Sequence, residues 1–170
     1  MMTGKTIGLA MMGLLLFGSC AMSKHHDAMG KKHDEMSKKI AQFHDPALLE
    51  AIIEDIRVGW EQGDGEVFYT HFLDWDGARY FEGGGQNIGL KDLVEHHVEP
   101  EAELGLTLGF SDIQTHFEGH FAWAVVDTEV KLTTSDGRNI HNTGHGTYLF
   151  RLVDGVWKVV HTQSASRPVR

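Results

Sequence analysis

The sequence predicts an α+β fold in which three N-terminal helices pack on a curved antiparallel sheet. In residues 45–98, apolar side chains recur at spacings of three and four, the period of an amphipathic helix. In residues 104–164, apolar and polar side chains alternate, and Asp-Gly pairs at 136–137 and 154–155 interrupt the alternation as tight hairpin turns do. Helices followed by a run of hairpins are the order expected when helices cover one face of a sheet.

The three helices are predicted from their capping residues. Asp45 is placed to cap a helix over 46–62, and Asp64 is placed to cap a second, shorter helix. A third helix is expected over 87–98, and Pro100 is expected to end it.

Five strands are predicted around these helices. A short strand over 76–81 precedes the glycines at 83–85, which form a turn and lack the Lys-Ser/Thr of a phosphate-binding loop. The other four predicted strands cover residues 104–117, 121–133, 140–152 and 156–164.

Residues 1–19 have the features of a signal peptide. The apolar stretch over 6–17 is too short to span a bilayer, which takes about 20 residues. Gly18 and Ser19 then precede Cys20, and this arrangement resembles the lipobox of bacterial lipoproteins. The resemblance implies an exported protein that is lipidated on Cys20 and held at a bacterial membrane, on the periplasmic side in a Gram-negative host. An ordinary secretory signal and an uncleaved anchor are the alternatives.

Residues 20–43 are predicted to form a tether between this anchor and a domain over 44–170. The segment is rich in His, Lys and Met and has too few large apolar residues to form a core, so we expect a flexible or partly helical spacer. His25, His26 and His33 are weak candidates for metal binding, because nothing in the segment fixes the geometry that a metal site needs.

Composition narrows the classes of function. The formal net charge is −9, and no basic run alternates with aromatic residues, which argues against nucleic acid as a partner. The sequence has one cysteine, Cys20, and lacks the zinc-protease and nucleophile-elbow motifs. We therefore expect no cofactor and no metal in the domain.

The domain resembles the nuclear transport factor 2-like superfamily, and within it the SnoaL-like branch and the association domain of calcium/calmodulin-dependent kinase II. The resemblance rests on three stretches, at 48–64, 89–93 and 146–161, and the last of these, the final hairpin, is the most specific. It implies a cone-shaped domain with an internal pocket, and a homodimer formed through the outer face of the sheet.

The sequence departs from the superfamily at residues that carry chemistry. The SnoaL-like pattern often has a second His two residues after His161, where this chain has Gln163. Tyr148 and Ser164 stand about where the kinase association domain has pocket arginines, so its carboxylate-binding chemistry does not carry over.

The two Asp-Gly turns predict which strand residues share a face. Two-residue turns there would pair Asp127 with Gly146 and Tyr148 with His161. The face expected to line the pocket then holds Trp123, Val125, Asp127, Tyr148, Phe150, Trp157, Val159, His161 and Gln163. Trp60, Tyr80 and His97 are expected to reach the same pocket from the first helix, the first strand and the third helix. A β-bulge would exchange the faces.

These features support three hypotheses of function. The first is a membrane-anchored domain that binds a small, partly apolar ligand without catalysis. The second is an enzyme of the isomerase or hydratase type, in which His161 is a general base, Asp127 orients it and Tyr148 donates to a ligand oxygen. The third is a dimeric assembly module. A hydrogen-bonded core network is the non-functional interpretation of the same His, Asp and Tyr.

Overall fold

The computed structural model describes residues 19–134 and 136–170, with side chains from residue 30 onward. Contacts divide the chain into two units, Met1–Lys38 and Lys39–Arg170. Helix α1 spans Ser19–Ala41, and His33 on it is exposed. The predicted signal peptide and the side chains of Cys20, His25 and His26 lie outside the described residues. None of the helices in the described ranges is both long enough and apolar enough to cross a membrane.

Two capped helices open the second unit. In α2 (Pro46–Gln62), the Asp45 carboxylate accepts a hydrogen bond from the Ala47 amide at 3.1 Å. In α3 (Gly65–His71), the Asp64 carboxylate accepts one from the Glu66 amide at 3.0 Å. Each cap satisfies an amide that the first helical turn leaves unpaired. The α2 face that carries Leu49, Ile53 and Ile56 is fully buried.

A short hairpin replaces the start of the predicted third helix. Strands β1 (Arg79–Glu82) and β2 (Gly85–Ile88) pair antiparallel across Gly83-Gly84, so residues 87–88 belong to a strand. Helix α4 (Leu90–Leu93) follows, and it continues as a π-helical turn over Val94–Val98.

The helical segment also runs past Pro100, which corrects the prediction that this proline ends it. Pro100 lies in the first turn of α5 (Glu99–Glu101), where its missing N–H costs least. A 3₁₀ turn over Ala102–Leu104 then ends the segment at Gly105, which adopts the left-handed conformation.

Four long strands follow: β3 (Thr107–Glu118), β4 (Phe121–Thr133), β5 (Asn139–Val153) and β6 (Val156–Pro168). The described strands form one sheet in the order β2-β1-β6-β5-β4-β3. β3 to β6 are antiparallel neighbours, whereas β1 pairs with β6 in parallel. The predicted α+β class, with helices packed on a curved and unclosed sheet, is confirmed.

The predicted register of β4 with β5 is wrong by one residue. Asp127 lies opposite His145, and Tyr148 lies opposite Ala124. The loop at Asp136-Gly137 is closed by Thr134 and Arg138, so it is one residue longer than the predicted two-residue turn. A shift of one residue moves every side chain of a strand to the other face.

A β-bulge in β6 changes which residues of that strand point to each face of the sheet, and this is a second difference from the prediction. Near the Asp154-Gly155 turn the predicted register holds, with Phe150 opposite Val159. Beyond the irregularity, Leu149 lies opposite His161 and Tyr148 opposite Thr162. Val160 is therefore an extra residue, and the positions after it alternate in the opposite sense.

Candidate functional site

A cavity of about 130 Å³ lies over the inner face of the sheet. At about 30 Å³ per water molecule, that volume would hold about four waters, or a small ligand of similar size. Its wall draws on α2, the helical segment 90–104 and all six strands, and consists of Trp60, Phe72, Tyr80, Phe81, Glu82, Asn87, Leu93, His97, Glu101, Leu106, Leu108, Phe110, Thr128, Val130, Leu132, Gly146, Thr147, Tyr148, Thr162, Gln163, Ser164 and Ser166.

Five of the predicted pocket residues line this cavity: Trp60, Tyr80, His97, Tyr148 and Gln163. Gln163 pairs with Thr147 and Phe81 in the sheet, one position out of phase with Tyr148, and its side chain is exposed. By strand alternation, the Gln163 side chain therefore belongs to the outer face of the sheet.

The other predicted residues do not line the cavity: Trp123, Val125, Asp127, Phe150, Trp157, Val159 and His161. Of these, Phe150, Trp157 and Val159 are buried in the core. Trp123 is exposed on the outer face, where its ring stacks with His116 at a centroid distance of 5.1 Å. Asp127 accepts a hydrogen bond from His145 Nδ1 at 2.8 Å and borders a second, more open depression.

His161 is separated from the cavity by the bulge. Its Nδ1 donates to the Arg79 carbonyl at 2.6 Å, and its ring packs edge-on against Phe81. The predicted cluster of Asp127, Tyr148 and His161 therefore does not form, because the longer loop turns Asp127 outward and the bulge turns His161 outward.

The polar side of the cavity is built around His97. Its Nε2 lies 3.1 Å from Glu82 Oε2 and 3.3 Å from Glu101 Oε1. On the other side of the ring, Nδ1 lies 3.0 Å from Asn87 Oδ1. Hydrogen bonds to Glu101 and then to Glu82 outweigh partial burial and raise the pKa of His97 to about 10. His97 is therefore an imidazolium at neutral pH, with both N–H groups donating.

The local fold explains why these groups meet. Glu82 ends β1, and Asn87 lies on β2 beside it, opposite Tyr80. His97 lies in the π-helical turn, and Glu101 follows it by four residues, which places both side chains on one side of the helical segment. The edge of the Trp60 ring covers the His97 ring at a centroid distance of 5.0 Å.

Sequence reasoning missed Glu82, Asn87 and Glu101. The spacing of His97 and Glu101 could have revealed Glu101, since charged residues four apart on a helix interact. Glu82 and Asn87 could be found only with the β1–β2 hairpin, and the predicted helix over 87–98 excluded that hairpin.

Two buried tyrosines form another part of the wall. Tyr80 is 2% exposed, and its Oη is buried with no hydrogen-bond partner among the described residues. Burial, with a smaller effect of the Asp74 charge, raises the pKa of Tyr80 to about 12. Burial and the Glu82 charge also raise the pKa of Tyr148. Both side chains are therefore neutral phenols that could donate to a ligand.

The remaining wall is mainly apolar. Apolar side chains of β3, β4 and the residue just before β3 contribute most of it: Leu106, Leu108, Phe110, Val130 and Leu132. Gly146 leaves space in the middle of β5, since a Cβ there would lie 3.1 Å from Val126 Cγ2. An apolar wall with a few polar groups on one side is the usual composition of a small-molecule site.

The site offers little to hold a metal ion. In the described ranges, no three His, Cys, Asp or Glu side chains are grouped as a metal ion would require. The Nε2 and Nδ1 protons of the His97 imidazolium already occupy both of its nitrogens, so this ring could not ligate a cation without losing a proton.

Comparisons with known proteins agree with this architecture. No curated protein matches the sequence. Among solved structures, a nuclear transport factor 2-like superfamily protein from Salmonella enterica serovar Typhimurium aligns with a TM-score of 0.62 and 16% identity, over 81% of this chain and 94% of that one.

Two further structures share the fold. A hexachlorocyclohexane dehydrochlorinase, LinA-type3, from Novosphingobium barchaimii has a TM-score of 0.61 and 18% identity, over 72% of this chain and 88% of that one. A provisionally assigned calcium/calmodulin dependent protein kinase II association domain from Xanthomonas campestris has a TM-score of 0.59 and 11% identity, over 72% of this chain and 87% of that one.

At these identities the structural likeness establishes the fold alone. The sequence itself is matched by the family model for the SnoaL-like domain over residues 49–169, which includes every residue that lines the cavity. The predicted resemblance is therefore confirmed, and the chain belongs to the SnoaL-like domain family of the nuclear transport factor 2-like fold.

Proposed function

We propose that the domain binds a small, partly apolar molecule in the cavity and does not transform it. The apolar wall would hold the body of the ligand, and the tyrosines and the His97 cluster would orient its polar group. His97 is unsuited to be a general base, because both of its nitrogens carry protons that are held by Glu82, Glu101 and Asn87.

The observation that carries this proposal is the Tyr80 hydroxyl. Tyr80 lines the cavity, and its buried Oη has no hydrogen-bond partner in the part of the chain that the structure describes. Leaving a buried hydroxyl unpaired costs about 1–3 kcal/mol, so a folded protein rarely keeps such a group without use. The hydroxyl can both donate and accept, so a ligand that forms a hydrogen bond with it in either direction would remove this cost.

Native mass spectrometry of the full chain, extracted in mild detergent, would test the proposal. We expect a bound small molecule that is released at higher collision energy. Tyr80→Phe should lose most of that molecule while keeping its thermal stability, since the hydroxyl makes no hydrogen bond to any described residue. Tyr69→Phe, which changes an exposed tyrosine, is the matched control. A chain that carries no small molecule in any preparation would contradict ligand binding.

A second candidate function is an enzyme that moves a proton. The observation in its favour is that His97, an ionisable group with two carboxylate partners, lies in the cavity wall. In this case His97 would act as an acid, which is a different role from the base predicted for His161. Turnover of any compound found in the cavity, lost in His97→Gln and kept in Tyr69→Phe, would favour this function over plain binding.

We also propose that the protein is a lipoprotein anchored through Cys20. The support is the apolar leader that ends in small residues before this cysteine, followed by α1, a polar helix whose described side chains over 30–39 are exposed. Intact mass after expression should include acyl chains, and Cys20→Ala should lack them and leave the membrane fraction. A Cys20→Ala protein that still carried acyl mass would contradict the anchor.

The outer face of the sheet supports a further proposal, that the domain forms a homodimer. Four large apolar side chains are exposed on β4 and β5: Phe121 (56%), Trp123 (36%), Val125 (39%) and Leu149 (38%). Val125 and Leu149 lie near each other across the strand pair, opposite Thr147 and Trp123 respectively. Contiguous exposed apolar groups mark protein contacts more often than scattered ones do.

A further inference from the structure

The charges in the cavity wall are unbalanced. Among the described residues, the ionisable groups of the wall apart from the tyrosines are Glu82, His97 and Glu101, and none is a Lys or an Arg. With His97 protonated, two negative charges face one positive charge, so the polar side of the cavity carries a net charge of about −1. The sign of this charge constrains the ligand, because an anion would approach two carboxylates with only one compensating cation.

The nearby arginines do not change this balance. Arg57 on α2 is held by Glu54 at 2.7 Å and by Glu61 at 2.8 Å, and it does not line the cavity. Arg79 on β1 donates to the carbonyl of Ala78 and is also absent from the wall.

The field of the carboxylates reaches into the cavity. The Glu82 charge contributes to raising the pKa of the buried Tyr148 phenol. A negative charge on Tyr148 is therefore disfavoured by Glu82, and a positive charge placed beside the phenol would be favoured by the same interaction.

Aromatic rings surround the same space. Trp60, Tyr80, Phe110 and Tyr148 all line the cavity, and Trp60 lies directly against the His97 cluster. The faces of aromatic rings attract cations, most strongly when both are removed from water. Carboxylates combined with several aromatic rings are the environment in which organic ammonium groups are bound.

We propose that the ligand of this cavity is a small organic cation, a protonated amine with an apolar body. This inference rests on the proposed binding function and adds the charge class of the ligand. The ammonium group lies against Glu82 and Glu101, whose second carboxylate oxygens have the capacity to accept further hydrogen bonds. The apolar body extends along the apolar wall that is formed mainly by β3 and β4.

Three probes of similar shape test the charge class: phenethylamine, neutral 2-phenylethanol and phenylacetate. Their binding to the full chain in mild detergent is measured by isothermal titration calorimetry at pH 7. We expect phenethylamine to bind at least about tenfold more tightly than 2-phenylethanol, and phenylacetate to bind most weakly of the three.

Glu82→Gln removes one negative charge from the cavity and leaves the shape of the side chain. The preference for phenethylamine over 2-phenylethanol should fall by about tenfold or vanish, and Glu101→Gln should act in the same direction. Glu118→Gln, on the exposed end of β3 outside the cavity, is the control and should keep the preference. Thermal unfolding of each variant establishes that it is folded, so that either glutamate can carry the test if the other variant is unstable.

Equal or tighter binding of 2-phenylethanol or phenylacetate would overturn the cation inference and leave ligand binding intact. Failure of all three probes would also overturn it if native mass spectrometry still detects a bound molecule. If neither the probes nor an endogenous molecule bind, both the cation inference and the proposed binding function fail.

Discussion

At the scale of single residues, His97 determines the chemistry of the cavity. A histidine on an otherwise apolar helix face is usually a packing residue, and the edge contact with Trp60 fits that role. The two carboxylates give it a second role, because they hold the ring charged and fix both of its protons. The result is a positioned donor cluster with little capacity to accept a proton.

The titration of His97 is the first prediction at this scale. Its pKa in the folded protein should lie near 10, well above the ordinary value of 6.5. Since the folded value is the higher one, the cluster contributes fully to stability below about pH 6.5, and this contribution is lost as the pH rises through 10. NMR of the imidazole carbons over this range would follow the titration, with His97→Asn used for assignment.

Substitutions of two glutamates, one that contacts His97 and one that does not, serve as the controls for this titration. Glu101→Gln should lower the pKa of His97, because it removes the larger of the two stabilising hydrogen bonds. Glu118→Gln should leave the titration unchanged. A wild-type His97 that titrates near 6.5 would show that the ion cluster does not exist in solution.

At the scale of elements, the features that depend on neighbouring residues were predicted correctly from the sequence, whereas those that depend on pairing between distant strands were not. The caps at Asp45 and Asp64 were predicted because a capping side chain contacts an amide two residues away. The Asp154-Gly155 turn was also predicted, since both of its central residues have the positive φ that this pair favours. These features depend on neighbours in the chain.

The errors arise where pairing across the sheet decides the geometry. The bulge at Val160 has no signal in the local alternation, and it turns His161 out of the cavity. The loop at Asp136-Gly137 is one residue longer than predicted, and this difference turns Trp123 and Asp127 out of the cavity as well. Tyr148 was placed in the cavity, but with partners that lie on the opposite face.

The cap of α2 gives a prediction at this scale. Asp45→Ala removes the acceptor of the Ala47 amide, and we expect the free energy of unfolding to fall by about 1 kcal/mol. Chemical denaturation monitored by circular dichroism would measure it. Glu50→Ala, an exposed position on the same helix, should change stability by less than about 0.5 kcal/mol. Equal effects of the two substitutions would mean that the cap is not formed.

At the scale of the whole molecule, the two faces of the sheet have different roles. The inner face and the helices enclose the cavity, with a core that includes Phe68, Phe150 and Val159. The outer face exposes aromatic and aliphatic groups that a monomer would leave in water. If the proposed lipidation of Cys20 and the proposed dimer are both correct, two anchors would slow release of the protein from a membrane.

The proposed homodimer gives the prediction that belongs to this scale. Trp123→Glu places a charge in the centre of the exposed apolar patch, and we expect the protein to become monomeric in analytical ultracentrifugation in detergent. The cavity should remain intact, because Trp123 does not line it. Lys131→Glu, a charge change on an exposed position of the same strand, should leave the dimer in place. A wild-type protein that is monomeric at all concentrations would rule the dimer out.

The content of the cavity tests the central claim most directly. A crystal structure of the gently purified protein should show continuous density for one compact molecule between Tyr80, Tyr148 and the His97 cluster, with a polar atom of that molecule within hydrogen-bond distance of Tyr80 Oη. Separate water molecules alone, or side chains that close the space, would contradict a ligand-binding function.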